Sequence, residues 1–236
     1  MKLVESLRPA AAEPPDDPSQ LVLSYLSLRR CVGLVGLALP VVLYGSHFLG
    51  LVPGPLPDSM SAFYYTRMAP YFIGTLCALG VFLFSYRYAR SDNRLSNIAS
   101  VFVTFVALCP TAPAGSPSTL WNHLHLVAAA GFFLIVAVFS GFMFTRKPGQ
   151  SSWWARWATP WPTTTAEDRR DWVYRLCALI IIGSLVAAGL AGARGSDALF
   201  WGETAAVLAF SFSWLVKGQF RWLWHWVVFP DPPTNG

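Results

Sequence analysis

The chain has 236 residues, of which 54% are hydrophobic and only 12% are charged, so it is too apolar for an ordinary soluble domain. Its net charge of +5 does not indicate nucleic-acid binding, because the basic residues stand at the ends of apolar runs and form no basic patch. A helix needs roughly 20 apolar residues to cross a bilayer core, and several runs reach that length. We therefore expect an integral membrane protein.

Residues 1–28 are predicted to form a disordered or amphipathic cytoplasmic tail, since they hold four prolines and several acids and lack the apolar core of a signal peptide. Arg29 and Arg30 mark the entrance to a membrane domain over 29–218, and Pro40 is expected to kink its first helix. Six crossings are predicted, at about 31–51, 68–86, 95–109, 122–144, 173–193 and 199–216.

Two segments outside the crossings are rich in tryptophan. The largest loop, 148–172, interleaves four tryptophans with basic residues, which is typical of a segment lying on the lipid headgroups at about 150–165. The C-terminal tail, 219–236, has the same character over residues 220–229, a stretch too short to span. Both are predicted to be interfacial.

The distribution of Lys and Arg residues along the chain predicts the membrane topology. If the N-terminus is inside, fifteen of the seventeen Lys and Arg residues face the cytoplasm, and only Arg67 and Arg194 lie outside. The predicted fold is thus an all-α bundle of six transmembrane helices with both termini cytoplasmic. Arginine outnumbers lysine, which is typical of GC-rich bacterial genomes, so we expect a multi-pass protein of a bacterial plasma (inner) membrane.

The four cysteines do not form a metal or disulfide pattern. They lie in or beside four different apolar runs, and no C-x-x-C pair occurs. We interpret them as small buried hydrophobic side chains. They are Cys31, Cys77, Cys109 and Cys177.

Polar side chains gather at the non-cytoplasmic end of the predicted bundle. Ionisable groups inside a span cost about 2.5–3.5 kcal/mol at its centre, so Glu203, one turn into the last crossing, is expected either to pair with Arg67 or Arg194 or to be a functional carboxylate. The candidate catalytic residues are His47, Asp58, Ser61, His125 and Glu203, and the candidate substrate-binding residues are Tyr64, Tyr65 and Arg67.

The serines before Phe63 have two interpretations. A hydroxyl nucleophile at Ser61 needs a base within about 3 Å, which a histidine from the same end of the bundle would supply. Alternatively, Ser59 caps the second helix and the tyrosines form an ordinary aromatic belt.

No cofactor is predicted, although zinc is an alternative. His123 and His125 lie about 200° apart around a helix, so they cannot both bind one metal ion. The metal candidates are instead His47, His125 and Glu203, whose spacing matches no compact ligand motif.

Three stretches carry a resemblance to a known group. They are the S-x-S-A-F-Y-Y-T run of Ser59 to Thr66, the Leu124-His125 pair, and Glu203 followed by S-W-x-x-K-G at Ser213 to Gly218. Together they resemble a group of uncharacterised bacterial six-helix integral membrane proteins. The resemblance covers nearly all of the membrane domain and implies topology without an activity.

A more distant similarity is to the CREST superfamily of membrane hydrolases, which also carry Ser, Asp and His on successive membrane helices. Those enzymes hold zinc with three histidines, two of them in an H-x-x-x-H motif. This chain has no such motif and six predicted crossings where they have seven.

Three functions remain open from the sequence. The first is a membrane-embedded enzyme acting on a lipid or another amphiphile. The second is a structural or partner-binding membrane subunit, with a protein partner or a second copy of the chain. The third is a small transporter, although the deep parts of the crossings lack the acids and bases of a proton relay. In each case the expected surroundings are membrane lipids, with no nucleic acid.

Overall fold

A computed structural model of the chain describes residues 18–87, 90–113, 116–146, 166–192 and 198–220. All regular structure in these residues is helical, which confirms the all-α prediction. The predicted interfacial segment at 150–165 lies outside the described residues. So do residues 1–17 and the C-terminal tail beyond Phe220.

Six long helices follow one another through the described part of the chain. They are α1 (Pro18–Phe48), α2 (Ala69–Ser85), α3 (Arg90–Leu108), α4 (Leu120–Val138), α5 (Ala166–Gly192) and α6 (Ala198–Lys217). A short 3-10 helix, Ser61–Tyr65, precedes α2, and a π-helical turn, Phe139–Met143, extends α4.

Among the described residues, four stretches are long and apolar enough to cross a membrane by length and composition. They are Tyr25–Phe48 in α1, Leu120–Met143 in α4 and its π turn, Asp168–Leu190 in α5, and Leu199–Lys217 in α6. Helix α2 is apolar but has only 17 residues, and α3 begins with a polar, charged half. The chain is therefore a membrane protein, and its described residues include four helices that have the composition of spans.

Three helices begin at least five residues before the apolar pattern predicts. One of them is α3, which starts at Arg90 and not near residue 95. Helix α1 starts at Pro18, so residues 18–28 are helical. Helix α5 starts at Ala166, before its predicted start near residue 173. Hydropathy detects only the apolar part of a helix, whereas proline at a helix start and polar first turns extend it outward. Pro40 does not interrupt α1.

The helices form a closed ring in which each packs against its neighbours in sequence and α6 returns to pack against α1. Aromatic side chains fill its interior, with fully buried Trp214 of α6 in contact with the rings of Tyr86, Phe139 and Phe210.

Two glycines allow α1 and α6 to approach closely. A methyl group on Gly33 would lie 2.6 Å from Leu215 Cγ and 3.0 Å from the Leu215 backbone nitrogen. A methyl group on Gly36 would lie 2.5 Å from Ser211 Oγ. Small residues at such an interface are how membrane helices obtain close packing.

We expect Gly33→Ala to destabilise the protein by about 1–3 kcal/mol, because the added methyl group overpacks the α1–α6 interface. Gly45→Ala in the same helix is the matched control, since a methyl group there would have no atom within 4 Å. Alanine is a better helix former than glycine by about 1 kcal/mol, so the control should be neutral or stabilising. Thermal unfolding of both variants in detergent measures the difference, and equal shifts would contradict this packing.

Candidate functional site

Three of the five candidate catalytic residues line one cavity between the helices. Ser61, His125 and Glu203 border a space of about 50 Å³, which exceeds the roughly 10–15 Å³ that one water molecule needs. The rest of the lining is almost entirely apolar: Leu39, Met60, Phe72, Leu76, Val103, Val106, Ala129, Phe132 and Phe133. The cavity therefore combines three polar side chains with a lining that is otherwise apolar.

Ser61 is held at the start of the 3-10 helix by a second serine. Its Oγ lies 3.0 Å from Ser59 Oγ, which in turn accepts a hydrogen bond of 3.1 Å from the Ala62 amide. Since Ser59 Oγ already accepts from this amide, its own proton can be donated to Ser61. The Ser61 hydroxyl proton is then available to a base.

Ser59 therefore stabilises the first turn of the short 3-10 helix that precedes α2, whose N-cap residue is Met60. The predicted alternative, in which it caps α2 itself, is wrong, because α2 begins at Ala69 and its N-cap residue Met68 makes no side-chain capping bond. Instead the Thr66 hydroxyl accepts from the Met68 amide at 3.1 Å.

Glu203 reaches from the second turn of α6 to the backbone beside Ser61. Its Oε2 accepts a hydrogen bond of 2.6 Å from the Met60 amide. Arg67, one of its two predicted partners, is exposed and does not line the cavity, and Arg194 lies outside the described residues. The Glu203 carboxyl group thus links the Ser59–Ser61 turn to α6.

His125 is 3% exposed, and its Nδ1 lies 2.8 Å from the carbonyl oxygen of Cys109. A carbonyl can only accept, so Nδ1 carries a proton and Nε2 of the neutral ring is the acceptor. The carbonyl is available because residue 113, which would bond it if α3 continued, is Pro113 and has no amide proton. His123, on the opposite face of α4, is exposed.

The other site candidates lie outside the cavity. His47 is half-buried near the end of α1, and its Nδ1 has no hydrogen-bond partner among the described residues. Asp58 and Arg67 are exposed. Tyr65 donates its hydroxyl proton to the Thr111 carbonyl, and the ring of Tyr64 packs edge-on against Tyr65 at 5.4 Å.

The sequence analysis did not predict two backbone groups that take part in the site. The Met60 amide and the Cys109 carbonyl hold the two ionisable side chains, and neither depends on the residue type that supplies it. Only the carbonyl had a signal in the sequence, namely Cys109-Pro110 followed by Pro113, which leaves helix-end carbonyls unpaired.

Within the described part of the chain, no three His, Cys, Asp or Glu side chains stand close enough together to hold a metal ion. Comparison with protein-family models, with curated proteins and with solved structures finds nothing that matches this chain. The function is therefore argued from the geometry of the cavity.

Proposed function

We propose that all six helices cross a bacterial plasma membrane, with both termini cytoplasmic. The closed ring supports this, because α2 and α3 pack between helices that have the composition of spans. The distribution of Lys and Arg along the chain supports the orientation. This arrangement puts Ser61, His125 and Glu203 near the outer leaflet.

We propose that the protein is a membrane-embedded enzyme that acts on an ester or related acyl bond of a lipid or another amphiphile. The observation that carries the proposal is the shared cavity of Ser61, His125 and Glu203, with its otherwise apolar lining. The apolar side chains of the lining suit contact with an acyl chain, and the three polar side chains on the same cavity suit a carbonyl group attached to that chain. Exposed Arg67, two residues beyond the 3-10 helix, would attract an anionic headgroup.

In the proposed reaction, Ser61 Oγ attacks the acyl carbonyl carbon while His125 Nε2 takes the hydroxyl proton. The bond from the carbonyl carbon to the leaving alkoxide then breaks, and His125 returns the proton to it, releasing an alcohol. Water hydrolyses the resulting acyl-serine by the same proton transfers, giving a carboxylic acid and free Ser61. Glu203 acts as a positioning residue, because it holds the turn that carries Ser61.

Covalent labelling tests this proposal without knowledge of the substrate. The purified protein in detergent is treated with a long-chain alkyl fluorophosphonate, which forms an Oγ–P bond at an activated serine and expels fluoride. We expect the wild type to be labelled at Ser61, as mapped by peptide mass spectrometry, and Ser61→Ala to lose the label. Ser46→Ala is the matched control, since Ser46 is buried but hydrogen-bonds to Leu43 O and does not line the cavity. An unlabelled wild type would overturn the proposal, and so would equal labelling of Ser61→Ala.

A structural role is the second candidate, and one observation favours it. The two ionisable side chains of the cavity both bond to backbone groups of another element, Glu203 to Met60 and His125 to Cys109. Such hydrogen bonds attach loops to helices whether or not the side chains are catalytic. Absence of labelling, together with a lower unfolding temperature for Glu203→Gln, would assign the cluster to this role.

A further inference from the structure

The cavity beside Ser61 is small for a site that acts on an amphiphile. Its volume is about 50 Å³, whereas pockets that enclose a drug-sized ligand measure roughly 300–1,000 Å³. One water molecule, which has a single non-hydrogen atom, needs roughly 10–15 Å³ of such space, so the cavity holds about three to five non-hydrogen atoms. An acetyl group has three of these atoms and a butyryl group has five, whereas an octanoyl group has nine. The cavity therefore has room for a short acyl group only.

The apolar wall of this cavity belongs to the packed interior of the bundle. Leu76 is 5% exposed and Val103 has no exposed surface. The ring of Phe132 packs edge-on against the rings of Phe133 and Phe210, with centroid distances of 5.6 and 5.8 Å. Volume added to a close-packed interior forces side chains out of their preferred rotamers and shifts the backbone. The wall therefore resists expansion by a longer acyl chain.

Two glycines set the spacing of the helices that form this wall. A methyl group on Gly80 of α2 would lie 2.9 Å from Thr104 Oγ1 of α3. A methyl group on Gly131 of α4 would lie 2.7 Å from the ring of Phe102, also of α3. Both distances are too short for real contacts, so α2 and α4 approach α3 more closely than larger residues would allow. The narrow cavity between these helices thus has a cause in the sequence.

We propose that the cavity accepts a short acyl group, from acetyl to butyryl, and that the amphiphilic part of the substrate is its alcohol. This inference rests on the proposed enzymatic function, in which Ser61 attacks the acyl carbonyl carbon and His125 protonates the leaving alkoxide. Overall, one water molecule and one ester give a short carboxylic acid and the amphiphilic alcohol. The long chain belongs to the leaving alcohol, so it does not have to enter the cavity.

Leu76 is the wall residue that we assign to limiting the acyl length. Leu76→Ala removes three carbon atoms from the lining, and the space left by such a truncation closes only in part. We therefore expect this variant to accept longer acyl groups. Leu79→Ala is the matched control, because Leu79 lies in the same helix, is 3% exposed and does not line the cavity.

The test is the acylation of Ser61 by three 4-nitrophenyl esters, the acetate, the butyrate and the octanoate, with the full-length protein in detergent. Release of 4-nitrophenolate gives kcat/KM after subtraction of the Ser61→Ala rate, and peptide mass spectrometry detects the acyl group on Ser61. Hydrophobic pockets discriminate by roughly 10–200-fold per methylene, so we expect the acetate to react about 100-fold faster than the octanoate. Leu76→Ala should lower this ratio about tenfold, and Leu79→Ala should leave it unchanged.

The wild-type series decides the proposal even where Leu76→Ala does not fold. An octanoate that reacts as fast as the acetate would overturn the short-acyl proposal, and so would acylation of Ser61 by none of the esters. A folded Leu76→Ala variant with the wild-type ratio would overturn it as well, since the selectivity would then arise elsewhere.

These failures differ from a failure of the enzymatic proposal. With an ethoxy group on phosphorus, the fluorophosphonate of the labelling experiment presents a small substituent to the cavity in addition to its long chain. Labelling of Ser61 by this reagent therefore remains expected for a serine enzyme of any acyl selectivity. A wild type that it does not label would overturn both proposals.

Discussion

Replacing His125 by asparagine is expected to slow covalent labelling of Ser61 by about 10²–10⁴-fold, the usual contribution of a general base. Asparagine retains an N–H donor near the position of Nδ1, so the bond to the Cys109 carbonyl can be preserved. It has no counterpart of Nε2, the atom that would take the serine proton. The substitution therefore separates proton transfer from support of the loop, and the measurement is the labelling rate under excess fluorophosphonate.

His123→Asn is the control for this experiment, because His123 lies two residues away on the same helix and is exposed. Its labelling rate should equal that of the wild type. Unfolding temperatures of both variants are measured alongside. A folded His125→Asn variant that is labelled at the wild-type rate would remove His125 from the proposed mechanism.

Truncation of Trp214 to alanine is expected to lower the free energy of unfolding by about 3–5 kcal/mol, the range for large aromatic side chains in well-packed interiors. Trp214 has no exposed surface, and its ring centroid lies 5.2 Å from that of Tyr86 and 5.3 Å from that of Phe144. Those rings also border Arg29 and Lys217. Loss of the indole would therefore disturb the rings that contact these two cations in addition to leaving a cavity.

Trp201→Ala in the same helix provides the comparison, since 51% of the Trp201 side chain is exposed. Trp201→Ala should lower the free energy of unfolding much less, because about half of the residue is exposed on the outside of the bundle. Denaturant unfolding in detergent micelles, followed by the remaining tryptophans, gives both values. Similar losses of unfolding free energy in the two variants would show that buried Trp214 contributes no more to packing than exposed Trp201 does.

The sequence predicted those parts of the fold that depend on apolar length. The predicted crossing at 68–86 corresponds to α2 at Ala69–Ser85, and that at 199–216 corresponds to α6 at Ala198–Lys217. Helix extensions into polar sequence were missed, as at Ala166, because no apolar pattern in the sequence marks them. The number of membrane crossings and their orientation stay predictions.

The candidate site was predictable as far as side-chain chemistry and helical spacing reach. The two-residue spacing of His123 and His125 places them on opposite faces, and His125 is the buried one. The carboxylate–amide bond from Glu203 to Met60 was not predictable, since every non-proline residue of a loop offers an amide. One of the two predictions for Glu203 gave it a cationic partner, whereas the folded loop supplies a backbone donor.

The return of α6 to α1 has a consequence for biogenesis. The surface of α1 around Gly33 and Gly36 is synthesised first, yet the helix that fills it leaves the ribosome last among the six. Until then the ring of helices is incomplete, and α1 and α5 both lack their contacts with α6. A partly assembled chain of this kind can misassemble during synthesis. A ribosome-bound chain that stops before Ala198 should therefore remain sensitive to cross-linking at Gly33, and addition of the final helix should abolish that sensitivity.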